Sequence, residues 1–282
     1  MNGAESLVRT LLQSGVDTCF ANPGTSEMHF VAALDRIPGM RCVLGLQENV
    51  VTGMADGYYR IAERPACTLL HCGPGLANGL ANLHNARRAH SAIVNIVGDQ
   101  ASYHRPFDAP LTTDTEALPR TVSGWVRTSM HAADVGRDAA DAIQAAWSMP
   151  GQIATLILPS DTSWNEGGIV AKALPASAPT PIDPFAVQYA AHILREDGPH
   201  TLLLLSGKAV LGPAQALAWR IAQASSASIM TDGVSIHPNG QGFLAIEDVP
   251  YTMDHALVAL SLIHISEPTR RTPISYAVFC LK

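Results

Sequence analysis

Ala66-Cys67-Thr68-Leu69-Leu70-His71-Cys72-Gly73-Pro74-Gly75-Leu76-Ala77-Asn78 is the stretch on which the reading of this chain turns. An apolar run of strand length, Ala66 to His71, meets Gly-Pro-Gly and then a helical pattern from Leu76 to Arg88. The same unit recurs on both sides. Upstream, a helix marked by Leu7, Leu11 and Leu12 ends at Gly15. It is followed by a strand over Thr18 to Ala21, a helix over Ser26 to Leu34, a strand over Arg41 to Leu44 and a helix over Gln47 to Ile61. Downstream, Ala92 to Val97 reads as a strand and Pro106 to Pro119 as a loose stretch rich in Pro and Asp. Asp134 to Trp147 then reads as a helix and Ile153 to Leu158 as a strand. Strands and helices alternating over short connections predict an α/β fold, a doubly wound parallel sheet with helices on both faces.

The pattern divides the chain. Residues 1–165 read as the first domain, and 166–182, with Gly167, Gly168, Pro175, Pro179 and Pro181, as a linker. Residues 183–259 carry a second α/β pattern: helix Phe185 to Leu194, strand Thr201 to Leu205, helix Pro213 to Ala224 and strand Ser228 to Thr231. That is short of the ~100 to 150 residues usual for a domain, so this central domain is expected to be truncated. From about Leu260 the style changes. Leu260 to Arg270 resembles one reading frame of a transposon-based sequencing-library adapter, Arg271-Thr272-Pro273 fits a variable index, and Ile274 to Lys282 looks like the flow-cell end. Residues 260–282 are therefore read as translated artefact and kept out of fold reasoning, with the natural protein expected to continue.

With 18 Lys+Arg against 24 Asp+Glu the net charge is −6, which excludes a basic nucleic-acid platform. Hydrophobic residues at 47% and charged residues at 15% suit a large core rather than a disordered chain. Five cysteines without a CxxC pair fit reduced thiols, and no zinc site is legible. With no signal-peptide pattern at the N-terminus and no apolar run of ~18 to 20 residues, the expected location is the cytoplasm and no membrane partner is expected.

In a parallel α/β sheet ligands bind beyond the carboxyl ends of the strands, so the residues after each strand are the candidates. After the first strand, Asn22-Pro23-Gly24-Thr25-Ser26-Glu27 makes a tight turn in which Thr25 and Ser26 can cap the next helix. After the second, Glu48 stands at a helix start among apolar residues. Buried there, its pKa would rise into a range useful for proton exchange; exposed, it would serve the helix dipole, and the residues alone leave both readings open. After the third, His71 precedes Gly73-Pro74-Gly75, which permits close approach to the backbone, and Asn78 offers a hydrogen-bonding amide.

Taken together, Asn22-Pro23-Gly24, Gln47-Glu48, Ala55-Asp56-Gly57-Tyr58, Arg60, Arg64-Pro65 and Gly73-Pro74-Gly75 with Asn78 resemble the pyrimidine-binding domain of thiamine-diphosphate-dependent enzymes. The likeness is greatest to acetolactate synthase large subunits and their benzoylformate-decarboxylase-like relatives. It covers residues 1 to 165 strongly and 183 to 259 more loosely.

The resemblance implies thiamine diphosphate as cofactor and a small 2-oxo acid of the pyruvate type as substrate, with the acyl-anion equivalent passed to a carbonyl acceptor. It implies that Glu48 hydrogen-bonds a ring nitrogen of the aminopyrimidine, and that Pro23, Gly24, Pro74 and Asn78 lie on the cofactor side. His71 matches a substrate-facing histidine of the decarboxylases, and Thr25 stands where they carry a serine, so both imply substrate contact and His71 a catalytic role. Gly98-Asp99-Gln100 departs from the Gly-Gln usual in synthases. Family members hold magnesium in a further domain marked by Gly-Asp-Gly and Asn-Asn. This sequence has no Gly-Asp-Gly, so the chain alone is expected to be inactive, with no metal ligand of its own. Full-length relatives pair as homodimers or homotetramers, and some hold FAD or a nucleotide in the central domain. Ser206-Gly207-Lys208-Ala209 is the one phosphate-loop candidate there, and a non-catalytic nucleotide- or effector-binding module is the alternative from another class.

Overall fold

A computed structural model describes residues 1–175, 181–210, 212–232, 246–252 and 254–256. The adapter-like tail, with Cys280, and linker positions 176–180 lie outside the described residues. The chain divides into two compact units, Met1–Ser177 and Ala178–Lys282.

The first unit is built on a six-stranded parallel sheet in the order β2-β1-β3-β4-β6-β5. Its strands are β1 (Thr18–Asn22), β2 (Arg41–Leu44), β3 (Ala66–Leu70), β4 (Ile93–Asp99), β5 (Trp125–Thr128) and β6 (Ile153–Pro159). The helices are α1 (Gly3–Gln13), α2 (Met28–Arg36), α3 (Glu48–Ala62), α4 (Cys72–Arg88), α5 (Val135–Trp147) and the short α6 (Ser160–Trp164). Two apolar clusters cover the two faces. One joins Leu7, Leu11, Phe30, Ala139 and Ile143 to Cys19, Cys67, Val94 and Leu156; the other joins Val51, Leu76 and Leu83 to Phe20, Leu70, Val97 and Ile157. Burial on both faces explains why β3, β4 and β6 read as continuous apolar runs.

One row of the sheet interior is polar and internally satisfied. Thr68, Asn95 and Thr155 are register partners on β3, β4 and β6. Thr68 Oγ1 donates to Asn95 Oδ1 at 2.7 Å and Asn95 Nδ2 donates to Thr155 Oγ1 at 2.9 Å, so the buried side chains pair among themselves.

The sequence reading differs from the structure in several places. The predicted loose region after β4 leads into β5, a half-exposed edge strand with Arg127 in its middle. It gives no apolar run to detect. Helix α4 starts at Cys72 rather than Leu76, so Gly73-Pro74-Gly75 forms its first turn instead of a loop before it. Proline fits there because the first-turn N–H groups have no intrahelical acceptor. The helix predicted from Ser26 is a 3-10 turn, Thr25–Glu27, followed by α2. Strand β4 extends through Gly98 and Asp99. The described part of the predicted linker follows the first unit: Gly168 N donates to Met1 O, and Ala171 N donates to Thr10 Oγ1.

The second unit contains α7 (Pro184–Asp197), β7 (Leu202–Leu205), α8 (Gly212–Ser225) and β8 (Ser228–Thr231), with β7 and β8 parallel. Leu205, Ala209, Val210 and Ala218 form its small core. Ser206-Gly207-Lys208-Ala209 leads into a 3-10 turn, and Ser206 Oγ donates to Asp232 Oδ2 at 2.6 Å.

Candidate functional site

The strand order reverses between β1 and β3, because β1 leads outward to β2 while β3 leads the other way to β4. Such a reversal leaves a crevice beyond the carboxyl ends of the two strands. The loops that start at Asn22 and His71 both leave the sheet there. Asn22 Nδ2 donates to Gly45 O at 2.7 Å, tying the loop after β2 to the same edge.

The first corner of this crevice is built on Glu27. Its side chain turns back so that Oε2 accepts from Gly24 N at 2.7 Å and lies 2.8 Å from His71 Nδ1. The Glu27 side chain is 1% exposed and that of His71 is 22% exposed. Loss of solvent pushes the Glu27 carboxyl above its ordinary value, against the opposing pull of the Gly24 N–H and the imidazole. Its Oε1 is buried and has no hydrogen-bond partner. Two glycines make room: a Cβ at Gly24 would lie 2.5 Å from the His71 ring, and one at Gly98 would collide with Glu27 Oε1.

Cys72 closes this corner. It is fully buried, with a left-handed φ of 50°, a conformation uncommon for a residue with a side chain. Its Sγ donates to Ser26 Oγ at 3.3 Å. Burial pushes the thiol up to about 11, with Ser26 opposing and the Glu27 and Asp99 charges adding to the rise. A carboxylate oxygen, a ring nitrogen and the thiol of Glu27, His71 and Cys72 lie within 4.8 Å of one another. His71 Nδ1 is engaged by Glu27 and the Cys72 thiol by Ser26, and we assign no metal to them.

The second corner is built on Glu48. Gln47 caps α3 by accepting from Val50 N at 3.2 Å, and this sets Glu48 as the first helical residue. Asn78 Nδ2 donates to Glu48 Oε2 at 3.0 Å. The pair is held by the seam between α3 and α4, where Thr52 Oγ1 donates to Gly79 O at 3.0 Å and Asn82 Nδ2 to Asn49 O at 2.8 Å. Glu48 is half-buried, which falls between the two situations its sequence allowed. Gly75 links the corners: a Cβ there would lie 3.1 Å from Glu48 Oε1 and 3.4 Å from His71 Cβ.

The structure thus brings Gly24, Glu48, His71 and Asn78 to one crevice. Pro74, Asn78 and Thr25 are exposed, while Pro23 and Gly24 are half-buried. Sequence reasoning placed Glu27 only at the end of the tight turn after β1 and did not single out Cys72. The available signal for Glu27 was its place three residues beyond Gly24, from which a glutamate can reach back to a free turn N–H.

Comparison with known proteins finds similar chains. Residues 1–120 match the thiamine pyrophosphate enzyme, N-terminal TPP binding domain. A Mycobacterium tuberculosis protein provisionally named as an acetolactate synthase large subunit, IlvX, is 50% identical over 282 residues, covering 99% of this chain and 54% of its own length. Benzoylformate decarboxylase of Pseudomonas aeruginosa is 36% identical over 152 residues, 54% of this chain and 28% of that enzyme. Among solved structures, a Mycobacterium smegmatis protein provisionally described as a thiamin diphosphate-dependent enzyme superposes with a TM-score of 0.78 at 24% identity, over 93% of this chain and 50% of that one. Benzoylformate decarboxylase from Polynucleobacter necessarius gives 0.73 at 25% identity, over 82% of this chain and 43% of that one. The chain spans about half the length of IlvX and less of the decarboxylase.

Proposed function

We propose, from the premise that residues 1–120 are similar to the N-terminal TPP-binding domain of thiamine pyrophosphate enzymes, that the crevice between β1 and β3 receives the aminopyrimidine of thiamine diphosphate. The observation that carries this reading is the Glu48 carboxylate, fixed by Asn78 and faced by a residue without a side chain, Gly75. The residues fit the group: a carboxylate acceptor at a helix start, a glycine floor, and exposed Pro74 and Asn78 beside it. When bound, the cofactor supplies an electron sink for decarboxylation of a 2-oxo acid.

Glu48 would hold a pyrimidine ring nitrogen of the cofactor and exchange a proton there, and Asn78 orients its carboxylate. Glu27 and His71 lie in hydrogen-bond contact at 2.8 Å at the other corner, where the substrate carboxylate and carbonyl are to be met; Thr25 stands at the rim. Pro23 and Gly24 set the turn that aims Glu27. Magnesium and the diphosphate are assigned to a part of the full-length protein beyond this chain. The chain alone is therefore expected to show no turnover, and the full-length enzyme to work as a cytoplasmic homodimer or homotetramer.

The reaction we infer is that of an acetolactate synthase-like enzyme, which decarboxylates a pyruvate-type 2-oxo acid and passes the acyl-anion equivalent to a carbonyl acceptor. A second reading, a benzoylformate-type decarboxylase, is favoured by the His71–Glu27 contact, which can deliver a proton instead of admitting an acceptor. A flavin- or nucleotide-binding role for the second unit has less behind it, since the Ser206 hydroxyl at its phosphate-loop candidate is bonded to the Asp232 carboxylate. Product analysis of the full-length enzyme with thiamine diphosphate and magnesium separates the readings. Acetolactate from pyruvate supports the synthase, an aldehyde from an aryl 2-oxo acid supports the decarboxylase, and no consumption of either class defeats both.

A further inference from the structure

Away from the crevice, three cysteines occupy one register row of the sheet. Cys19 on β1 is the Cα partner of Cys42 on β2 and also of Cys67 on β3. Registered residues on neighbouring strands point to the same face, and neighbouring strands lie ~4.7 to 4.9 Å apart. That spacing falls inside the ~4.4 to 6.8 Å range of Cα separations that a disulfide bridges. Cys19 and Cys67 are both 0% exposed and share the apolar cluster of that face, whereas Cys42, on the edge strand, is exposed. All three are free thiols. The row therefore runs from solvent into the core, and neither the fold nor the proposed chemistry accounts for it.

We propose that Cys42 and Cys19 form an oxidisable dithiol, in which Cys42 meets a peroxide from solvent and Cys19 resolves it as an intrachain disulfide across β2 and β1. The Cys42 thiolate attacks one peroxide oxygen, the O–O bond breaks, and sulfenic acid forms as hydroxide leaves. Cys19 then attacks the Cys42 sulfur, the S–O bond breaks and a second hydroxide leaves. With the two thiol protons the products are one disulfide and two waters, and the two electrons end on the peroxide. Cys67 stands on the other side of Cys19, in register with it on β3, and is not needed for the bond. The bond would pin β2 just before the loop that Asn22 tethers at Gly45 and that leads to Glu48.

Contact with Cys19 and burial push the Cys42 thiol up. The Cys19 thiol also sits well above its ordinary value, drawn down by Cys42 but raised by Cys67 and burial. Reaction is accordingly slow at neutral pH and rises about tenfold per pH unit while the thiols remain mostly protonated.

The test is hydrogen peroxide treatment of the full chain at pH 7 and pH 9, alkylation of remaining thiols, and tryptic mapping without reductant. Cys19 is the sole cysteine of the peptide Thr10 to Arg36, and Cys42 is the sole cysteine of the peptide Cys42 to Arg60. The expected product is these two joined, two hydrogens lighter than their sum, on a chain that still runs as a monomer without reductant and forms faster at pH 9. C42S abolishes it and C67S leaves it in place; far-UV circular dichroism of both variants confirms the fold. Over-oxidation of Cys42 to sulfinic acid with Cys19 still alkylated, or Cys42 joining two chains, overturns the proposal.

Discussion

Two glutamates stand at the same edge of the sheet in opposite circumstances. Glu27 follows β1, is almost wholly buried, and has an imidazole and a backbone N–H on one oxygen and no partner on the other. Glu48 follows β2, is half-buried, and holds one side-chain amide from the facing helix. The difference shows that two carboxylates at one sheet edge can be set in unlike surroundings by burial and partners alone. Burial gives Glu27 a raised pKa, while Glu48 keeps partial exposure to solvent.

The largest expected effect breaks the pair on its ligand side. E48Q in the full-length enzyme keeps the shape and the Asn78 contact but removes the proton-accepting charge, so 2-oxo acid turnover should fall by roughly 10² to 10⁴. Steady-state kinetics with thiamine diphosphate and magnesium measure it, and a fall below tenfold would remove Glu48 from the chemistry.

Next comes a change that strikes the buried corner only. In G98A the new methyl would collide with Glu27 Oε1, so Glu27 or β4 must shift. Urea unfolding should show a loss of about 1 to 3 kcal/mol. Unchanged stability would mean that the corner is loosely packed.

The third prediction concerns pH. The folded-state pKa of Glu27 is raised above its ordinary 4.5 by desolvation, so the folded chain holds this proton more tightly than the unfolded chain does. The stability contributed is fully present below about the ordinary value and is lost as pH rises through the raised one. Wild type minus E27Q, measured by urea unfolding across pH 4 to 8, should therefore decline with rising pH. A difference that grows with pH would reverse the assignment. The smallest effect is expected from N78A, which removes one exposed hydrogen bond. Stability should change by less than ~1 kcal/mol, while kcat falls about three- to tenfold because the Glu48 carboxylate is no longer oriented.

Most of the sheet was legible because β1, β3, β4 and β6 are apolar runs bounded by turn residues, and a helix on each side completes the pattern. Strand β5 was not, since it lies at the edge, is half-exposed and centres on Arg127, which pairs with Asp138 and Asp141 on α5. Gly73-Pro74-Gly75 reads as a turn by residue type, yet lies inside a helix because its N-terminal turn requires no N–H from Pro74. Among site residues, Glu48, His71 and Asn78 could be placed from strand ends. Glu27 could not be separated from an ordinary cap, because its burial is made by β4 and His71, which are distant in sequence. The row Cys42–Cys19–Cys67 depends on register between strands, which no local pattern records.

The most direct measurement is exchange of the acidic proton on the reactive thiazolium carbon of enzyme-bound thiamine diphosphate, followed by NMR in deuterated buffer in wild type, E48Q and E27Q full-length enzyme. If Glu48 serves the cofactor and Glu27 the substrate, E48Q slows exchange by at least about a hundredfold while E27Q leaves it within a few-fold of wild type. Equal exchange in wild type and E48Q, or a larger loss in E27Q, would contradict the division of roles between the two carboxylates.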